Sequence, residues 1–448
     1  MADRITVIGW DGTPLTEAAA AALAAATLVA GAPYQLKALP VPPAAERLAL
    51  GSIQLAARRI AEHRGAAVVI AEGDPGFFGV VRTLRRPEYG LELEVLPAVS
   101  SVAAAFARAG MPWEDAQVVS VHGGRLRRAA NVCRAHPKVA VLTAPGAGPS
   151  ELALMLRGVH RTFVVCEGLS TPDEDVTVLT SDRVADHIWR DPSVVLVIGG
   201  SSGGGPGGGP QTGRTATEAA GWIAGRPVGF PGPDRGWALP GDAYTGAGRT
   251  RDESTAPGAP GASDTLPAHV RALVLARLGA RPGDLVWSVG AGSGALAVDA
   301  ARFGAAVVAV EADRAACARL AVNARRFGVE VETVHGRGPE VLGELPEPDA
   351  AVVETGGPEV VRAVLSRRPE RIVAVARTLA EAEEVRRAIA AAGYRADGAL
   401  LQSAPLLAPG GAPGSAAGGA SGTTGPGRGL RLGVGDPGTF LLWGEQIS

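Results

Sequence analysis

The clearest indication of fold in the second half of this chain is the stretch VWSVGAGSGALAVDAARFGAAVVAVEAD, from Val286 to Asp313. An apolar strand leads into a turn that contains Gly290, Gly292 and Gly294, and a helix and a second strand ending in Glu311 follow. Glycine lets the backbone approach a ligand closely, and a carboxylate at the end of the next strand can accept both hydroxyls of a ribose. This order of elements predicts a nucleotide-binding site on the glycine turn.

Two nucleotides fit such a turn, NAD and S-adenosylmethionine (SAM), and Asp313 is an alternative to Glu311 as the ribose acid. The alternation of strands and helices stops after Gly393, because YRADGALLQSAPLL and GTFLLWGE follow with no helix between them. A parallel sheet that ends in an antiparallel pair is the pattern of class I SAM-dependent methyltransferases, whereas an NAD fold would continue with helix-linked strands. The pattern therefore favours SAM, and an NAD-dependent oxidoreductase is the alternative.

Composition limits the class of protein and its partners. The chain has 448 residues, a formal net charge of −2 and few aromatic residues, which predicts two domains and disfavours nucleic acid as a partner. The three cysteines and seven histidines show no metal-binding spacing, so we expect no metal site and a reducing compartment. We find no signal peptide or membrane-length apolar run, so we expect a soluble, cytoplasmic protein without a membrane partner. We also expect a homo-oligomer.

Three tracts rich in Gly, Ser and Pro begin at Gly199, Thr245 and Ala408. Such tracts bury too little apolar area to offset the entropy of ordering them, and we expect all three to be mobile. The predicted organisation is a first α/β domain at 1–200, a linker at 201–236, and a second α/β domain at 237–448 with inserts near 245–264 and 408–429.

Apolar runs also alternate with helices in the first half, which predicts an α/β sheet, with one helix over 15–31 and another over 51–63. The turns GWDGTPLT (9–16) and EGDPGFFG (72–79) follow strands, and Ser100, Ser101 and Thr143 come near helix starts. Each feature alone is ordinarily a turn or a helix cap. Together they predict a site at the carboxyl edge of the sheet, where open α/β folds bind ligands.

Arginines cluster in two places, and their forked side chains suit carboxylates, although solvated helix faces are the ordinary alternative. His122, after the strand VVSV, is a candidate cleft residue. The clustered arginines are Arg82, Arg85 and Arg86, followed by Arg125, Arg127, Arg128 and Arg134.

These residues together resemble a known family. ITVIGWDGTPLT, GDPGFFGVVRTLR and LEVLPAVSSVAAAFARAG resemble the C5-methylating tetrapyrrole methylases. WALPGDAY, VGAGSGALAVDAAR and VEADRAACARLAVNARRFGV resemble their C15-methylating, decarboxylating partner. The resemblance implies a tetrapyrrole methylase domain of two α/β subdomains with a cleft, followed by a class I methyltransferase domain. It also implies SAM-dependent methylation of a precorrin-6 type tetrapyrrole at C5 and C15, with loss of the ring C acetate carboxyl, in cobalamin biosynthesis.

The resemblance implies one SAM per domain and no metal. In the first domain it assigns SAM to Gly73, Asp74, Pro75, Ser100, Ser101 and Thr143, and the macrocycle to Gly9, Asp11 and Gly12. His122 and Arg125 are further candidates for binding the substrate. In the second domain it assigns SAM to Gly290, Gly292, Gly294, Glu311 and Gly338. Asp242 and Glu354 are the candidate acids or bases for decarboxylation.

The second domain departs from the family pattern at several positions. Ser288 and Arg337 stand where an acid is usual, and Leu266 and Pro267 stand where a Thr-Lys pair is usual. A tetrapyrrole-binding protein with a catalytically weak second domain is therefore a further alternative.

Overall fold

The computed structural model of the protein describes residues 4–51, 53–171, 173–190, 193–199, 236–245, 265–404, 406–407, 431–432 and 438–446. The chain divides into a first unit, Met1–Val228, and a second unit, Gly229–Ser448. The predicted linker and both predicted inserts lie almost wholly outside the described residues, so the domain boundaries and the mobility of these tracts stay predictions. None of the described helices is long and apolar enough to span a membrane.

The first lobe of the first unit is a parallel sheet with the strand order β3-β2-β4-β1-β5. Ile5 and Val7 of β1 pack into one apolar cluster and Ile8 into another, so helices cover both faces. The elements are β1 (Arg4–Trp10), α1 (Glu17–Ala24), β2 (Leu28–Gly31), α2 (Pro33–Ala38), β3 (Glu46–Ala49), α3 (Ile53–Glu62), β4 (Ala67–Glu72), α4 (Val80–Leu84) and β5 (Glu92–Leu96).

The single helix predicted over 15–31 is wrong. Helix α1 ends at Ala24, and Leu28–Gly31 form the buried strand β2. Leu28 pairs with Ala67 of β4 on one side and with Glu46 of β3 on the other. These pairings join distant parts of the chain, and they override the local helical preference of the alanine-rich run.

The second lobe of the first unit contains a mixed sheet with the order β6-β7-β10-β8-β9. Strand β10 is antiparallel to both β7 and β8, so the carboxyl ends of β6, β7 and β8 lie at one edge. The elements are α5 (Ser101–Ala109), β6 (Gln117–Ser120), α6 (Leu126–Ala135), β7 (Lys138–Leu142), α7 (Pro149–Met155), β8 (Arg161–Glu167), β9 (Asp175–Thr180), α8 (Ser181–Val184) and β10 (Ser193–Gly199).

The second unit is built on a seven-stranded sheet with the order β13-β12-β11-β14-β15-β19-β16. Its first five strands are parallel, and β19 runs antiparallel to both β15 and β16, which confirms the predicted terminal pair. The elements are α9 (Ala268–Leu278), β11 (Leu285–Val289), α10 (Ala295–Arg302), β12 (Ala306–Glu311), α11 (Arg314–Arg326), β13 (Glu332–His335), β14 (Ala350–Val353), α12 (Gly357–Leu365), β15 (Arg371–Ala376), α13 (Leu379–Ala391), β16 (Tyr394–Leu401), β17 (Leu406–Leu407), β18 (Arg431–Leu432) and β19 (Thr439–Gln446).

A fully buried ion pair ties three segments of the second unit together. Arg271 of α9 and Asp299 of α10 both have 0% side-chain exposure, and Arg271 Nε lies 2.8 Å from Asp299 Oδ2. The Tyr244 hydroxyl donates to Asp299 Oδ1 at 2.5 Å, and Arg271 also donates to the carbonyl oxygens of Leu239 and Leu266. The segment 236–245 is thereby held against α10, the helix that begins at the glycine turn.

Candidate cofactor and substrate sites

The glycine turn of the second unit lies where the order of the sheet reverses, with β12 on one side of β11 and β14 on the other. Ligands of open α/β sheets bind at the carboxyl edge beside such a reversal. Gly290, Gly292 and Gly294 have φ values of 75°, 55° and 77°, a left-handed conformation that strains any residue with a Cβ. A turn with three left-handed residues in five positions therefore strongly favours glycine at each of them.

The predicted ribose acid, Glu311, lies directly at this turn. Glu311 Oε2 accepts a hydrogen bond from the backbone N–H of Gly292 at 2.7 Å, and Oε1 accepts one from the N–H of Asp313 at 2.8 Å. The side chain of Asp313 instead caps α11 by accepting from the N–H groups of Ala315 and Ala316. Glu311, and not Asp313, is therefore the acid that is hydrogen-bonded to the glycine turn.

This set of groups fits the adenosine part of SAM. The left-handed glycines have no side chain to keep a ligand away from the backbone. The carboxylate of Glu311 lies beside them and can accept hydrogen bonds from the hydroxyls of a ribose. Gly338, which we expect near the adenine, packs against the end of β11, since a Cβ on Gly338 would lie 3.0 Å from Val289 Cγ1. The structure thus brings Gly338 close to the glycine turn.

Glu354, one of the two candidate acids, follows β14 at the same carboxyl edge. Its backbone N–H donates to the carbonyl oxygen of Val289 at 2.9 Å, and its Oε1 accepts from the hydroxyl of Ser288 at 2.7 Å. Burial raises the pKa of Glu354 to about 8, although the hydrogen bond from Ser288 and the charge of Arg271 act in the opposite direction. Glu354 is therefore mostly protonated at pH 7.

The other candidate acid, Asp242, lies in a different setting. It is exposed in the short 3₁₀ turn Gly241–Ala243, beside Leu239 and Tyr244, which pack against α10 and α11. Among the residues that the structure describes, no hydrogen bond or ion pair joins Asp242 to Glu354 or to the glycine turn. The two candidate acids are thus not brought together by direct contacts.

In the first unit, residues assigned to the cofactor and to the macrocycle lie together where β1, β4 and β5 end. A Cβ added to Gly9 would lie 2.2 Å from the carbonyl oxygen of Gly73 and 3.0 Å from Pro75 Cδ. A Cβ on Gly73 would lie 3.1 Å from the backbone nitrogen of Ser101. Residues that are distant in sequence therefore form one close-packed site at the carboxyl edge of the first lobe.

The loop after β1 connects this site to the second lobe. Asp11 accepts hydrogen bonds from the Thr13 hydroxyl at 2.6 Å and from the Val99 N–H at 3.3 Å. Burial acts to raise the pKa of Asp11, but these hydrogen bonds together hold it below its usual value. A Cβ on Gly12 would lie 2.3 Å from the carbonyl oxygen of Ser170, in the loop after β8. The carboxyl edges of the two lobes thus meet at Gly12.

The remaining predicted residues of the first unit have varied surroundings. Ser100 caps α5 by accepting from the Ala103 N–H at 3.1 Å, and Asp74 accepts from the Gly76 N–H at 2.8 Å within its own turn. Buried Thr143 follows β7, and exposed His122 follows the neighbouring strand β6, so both lie at the edge facing the first lobe.

Arg125 is exposed at the start of α6, near His122 in the chain. Arg134 is different, since it is buried within the second lobe and donates to the carbonyl oxygen of Met155 at 2.7 Å. Its expected place among carboxylate-binding arginines is therefore wrong. Arg85 and Arg86 lie beyond α4, which ends at Leu84, and only Arg82 of that cluster is on the helix.

Sequence reasoning missed two contacts at the second site. The Ser288 hydroxyl contacts Glu354, and the side chain of Thr355 lies against Gly290, where a Cβ would be 2.0 Å from Thr355 Oγ1. The two contacts join the end of β11 and the glycine turn after it to the segment after β14, more than sixty residues away. No local pattern in the sequence signals them.

Comparison with known proteins assigns the two halves to two families. A tetrapyrrole (corrin/porphyrin) methylase family matches residues 11–185, and a precorrin methyltransferase domain family matches residues 265–405.

A precorrin-6Y C(5,15)-methyltransferase [decarboxylating] from Sinorhizobium sp is 32% identical over 69% of this chain and 67% of its own length. The protein of that name from Mycobacterium tuberculosis H37Rv is 30% identical over 81% of this chain and 83% of its own. Among solved structures, the C-terminal domain of the Rhodobacter capsulatus precorrin-6Y C5,15-methyltransferase is 24% identical over 48% of this chain and 100% of its own, with a TM-score of 0.34.

Proposed function

The chain belongs to the precorrin-6Y C(5,15)-methyltransferase (decarboxylating) family, and on that premise we propose that it is a SAM-dependent methyltransferase of cobalamin biosynthesis. Its substrate is a precorrin-6 type tetrapyrrole, which it methylates at C5 and C15 while removing the carboxyl of the ring C acetate. The observation that carries the proposal is the presence, in one chain, of a tetrapyrrole methylase half and a precorrin methyltransferase half in this order.

We assign C5 methylation to the first unit. SAM supplies an electrophilic methyl group, and a carbon of the macrocycle is the nucleophile, so the protein has to orient the two and exclude water. This site is lined by a group of closely packed residues, Gly9, Gly73, Pro75 and Ser101. Exposed arginines such as Arg125 suit the carboxylates of the substrate.

We assign C15 methylation and decarboxylation to the second unit, with a second SAM held by the glycine turn and Glu311. Decarboxylation breaks the bond between the acetate methylene and its carboxylate, releases carbon dioxide, and moves the electron pair into the conjugated macrocycle. The methylene carbon then takes up a proton. Glu354, whose pKa is about 8, holds such a proton at pH 7 and is the general acid in this proposal.

The test is incubation with SAM and a precorrin-6 substrate, followed by mass spectrometry. We expect two added methyl groups and the loss of one carbon dioxide. A product that has gained or lost only hydrogen would instead support the NAD-dependent oxidoreductase. A single added methyl group without decarboxylation would mean that the second unit is catalytically weak. Equilibrium dialysis with labelled SAM tests the expectation of one SAM per unit.

Glu354→Gln tests the role of the acid. This variant keeps the shape of the side chain but has no acidic proton, so carbon dioxide release should fall about 10²- to 10⁴-fold. C5 methylation should continue, because it takes place in the other unit. The matched control is Glu359→Gln, which changes an exposed acid at the start of α12 and should leave both activities unchanged.

A further inference from the structure

Ser288 occupies a position where a hydroxyl needs an explanation. It lies in β11, whose five residues are all buried, and it is 1% exposed. A buried hydroxyl is costly unless it is hydrogen-bonded, and an apolar residue would suit this strand better. The hydroxyl of Ser288 donates to Glu354 Oε1 at 2.7 Å. The cost of burying this group is therefore offset by its contact with the candidate acid.

This contact distinguishes the two oxygens of the Glu354 carboxyl. A protonated carboxyl has one O–H oxygen, which donates, and one carbonyl oxygen, which accepts. When the Ser288 hydroxyl donates to Oε1, Oε1 has to be the carbonyl oxygen of the neutral carboxyl, and Oε2 carries the proton. Because Ser288 belongs to β11, an interior strand that pairs with β12 on one side and β14 on the other, its position is fixed and constrains the orientation of the carboxyl.

We propose that Ser288 is a positioning residue, which holds Glu354 Oε1 and thereby keeps the proton on Oε2 for delivery to the substrate. The proposal rests on the proposed function of Glu354 as the general acid.

The charges around Glu354 determine how its titration responds to loss of the serine. Burial is the largest influence and raises the pKa, and the negative charges of Glu311 and Asp299 act in the same direction. The hydrogen bond from Ser288 and the charge of Arg271 lower it. Removing the Ser288 hydroxyl therefore raises the pKa of Glu354 above about 8, so that Glu354 loses its proton at a higher pH.

The experiment compares the pH profile of carbon dioxide release in the wild type, Ser288→Ala and Ser288→Thr, all as full-length chains. The wild type should be active below about pH 8 and lose activity as the pH rises through the pKa of Glu354. In Ser288→Ala the loss of activity at alkaline pH should occur at a higher pH than in the wild type. The kcat for carbon dioxide release should also fall about tenfold, at unchanged KM. Ser288→Thr keeps the hydroxyl and should restore the wild-type profile.

Two further measurements separate positioning from general damage. Carboxyl-carbon NMR titration of ¹³C-labelled Glu354 reports its pKa in the protein alone, without any turnover. Ser366→Ala is the matched control, since its hydroxyl donates only to the carbonyl oxygen of Ala363 on the exposed end of α12 and should change neither profile nor pKa. If Ser288→Ala does not fold, Ser288→Cys keeps the size of the side chain with a weaker donor and should show the same direction of change.

The outcomes distinguish this inference from the proposed function. If Glu354→Gln releases carbon dioxide at the wild-type rate, Glu354 is not the general acid. The proposed role of Glu354 and the proposed role of Ser288 then both fail. A different outcome is that Glu354→Gln is inactive in decarboxylation while Ser288→Ala keeps the wild-type pH profile, the wild-type kcat and the wild-type pKa of Glu354. That result would support Glu354 as the general acid and overturn the positioning role of Ser288.

Discussion

Gly9 and Gly73 make direct backbone contact at the first site, since a Cβ on Gly9 would lie only 2.2 Å from the carbonyl oxygen of Gly73. The same Cβ would lie 2.6 Å from the backbone nitrogen of Ala98. The end of β1 and the segments that follow β4 and β5 therefore converge on a point that only glycine can occupy. The site of the first unit depends on this convergence.

We predict that Gly9→Ala abolishes C5 methylation and destabilises the first unit by about 1–3 kcal/mol, because the neighbouring backbone must move to admit the methyl group. Denaturant unfolding and mass spectrometry of the product measure the two effects. Gly51→Ala is the control, since a Cβ on Gly51 meets nothing within 4 Å and its φ is not left-handed. Normal C5 methylation by Gly9→Ala would show that this contact is not needed for the site.

The glycine turn of the second unit gives a second prediction. Gly292 has a φ of 55°, so Gly292→Val introduces a branched side chain both into a strained conformation and at the proposed place of the cofactor. The second unit should lose SAM binding, and decarboxylation and C15 methylation should disappear together, while C5 methylation continues. Calorimetric titration with SAM measures the number of sites that remain, which should be one. Two remaining sites would mean that the glycine turn does not bind SAM.

A third prediction separates the two acids near this turn. Glu311→Ala should weaken SAM binding to the second unit roughly ten- to hundredfold, because it removes one charge-assisted interaction but leaves the turn open. Asp313→Ala should leave SAM affinity unchanged and lower the stability of the unit by about 0.5–2 kcal/mol through loss of the cap of α11. Isothermal titration and thermal unfolding of both variants provide the comparison. The opposite assignment of the two effects would make Asp313 the ribose acid.

The buried pair of Arg271 and Asp299 gives a prediction for stability. Asp299→Ala leaves the fully buried guanidinium without its carboxylate, so it should destabilise the second unit by about 3–5 kcal/mol. Tyr244→Phe removes one hydrogen bond to the same carboxylate and should cost about 1–3 kcal/mol. The exposed pair of Arg395 and Glu445 is the control, and Arg395→Ala should cost at most about 1 kcal/mol. Equal effects in chemical denaturation would show that the buried network contributes no special stability.

Much of the fold could be predicted from local patterns. The strand, glycine turn, helix and strand over 286–313 appear in the structure in that order, and the two helix-free segments at the end pair as β16 and β19. The error was at 15–31, where a run of alanines suggested one helix although Leu28–Gly31 form a strand. Alanine favours helix in isolation, but pairing with β4 on one side and β3 on the other decided the state of that segment.

Local patterns in the sequence were enough to predict the alternation of strands and helices, the positions of the glycine turns and the place of Glu311 at the end of its strand. These features depend on neighbours within a few residues, because strand periodicity and left-handed turns are local properties of the backbone. The folded structure was needed to show that Arg134 is buried in its lobe, that Asp313 caps a helix, and that Ser288 is hydrogen-bonded to Glu354. Each of these outcomes depends on which side chains the folded chain brings within hydrogen-bonding distance, and a one-dimensional pattern carries no such distance. Burial then raised the pKa of Glu354, which turned an ordinary glutamate into a candidate acid.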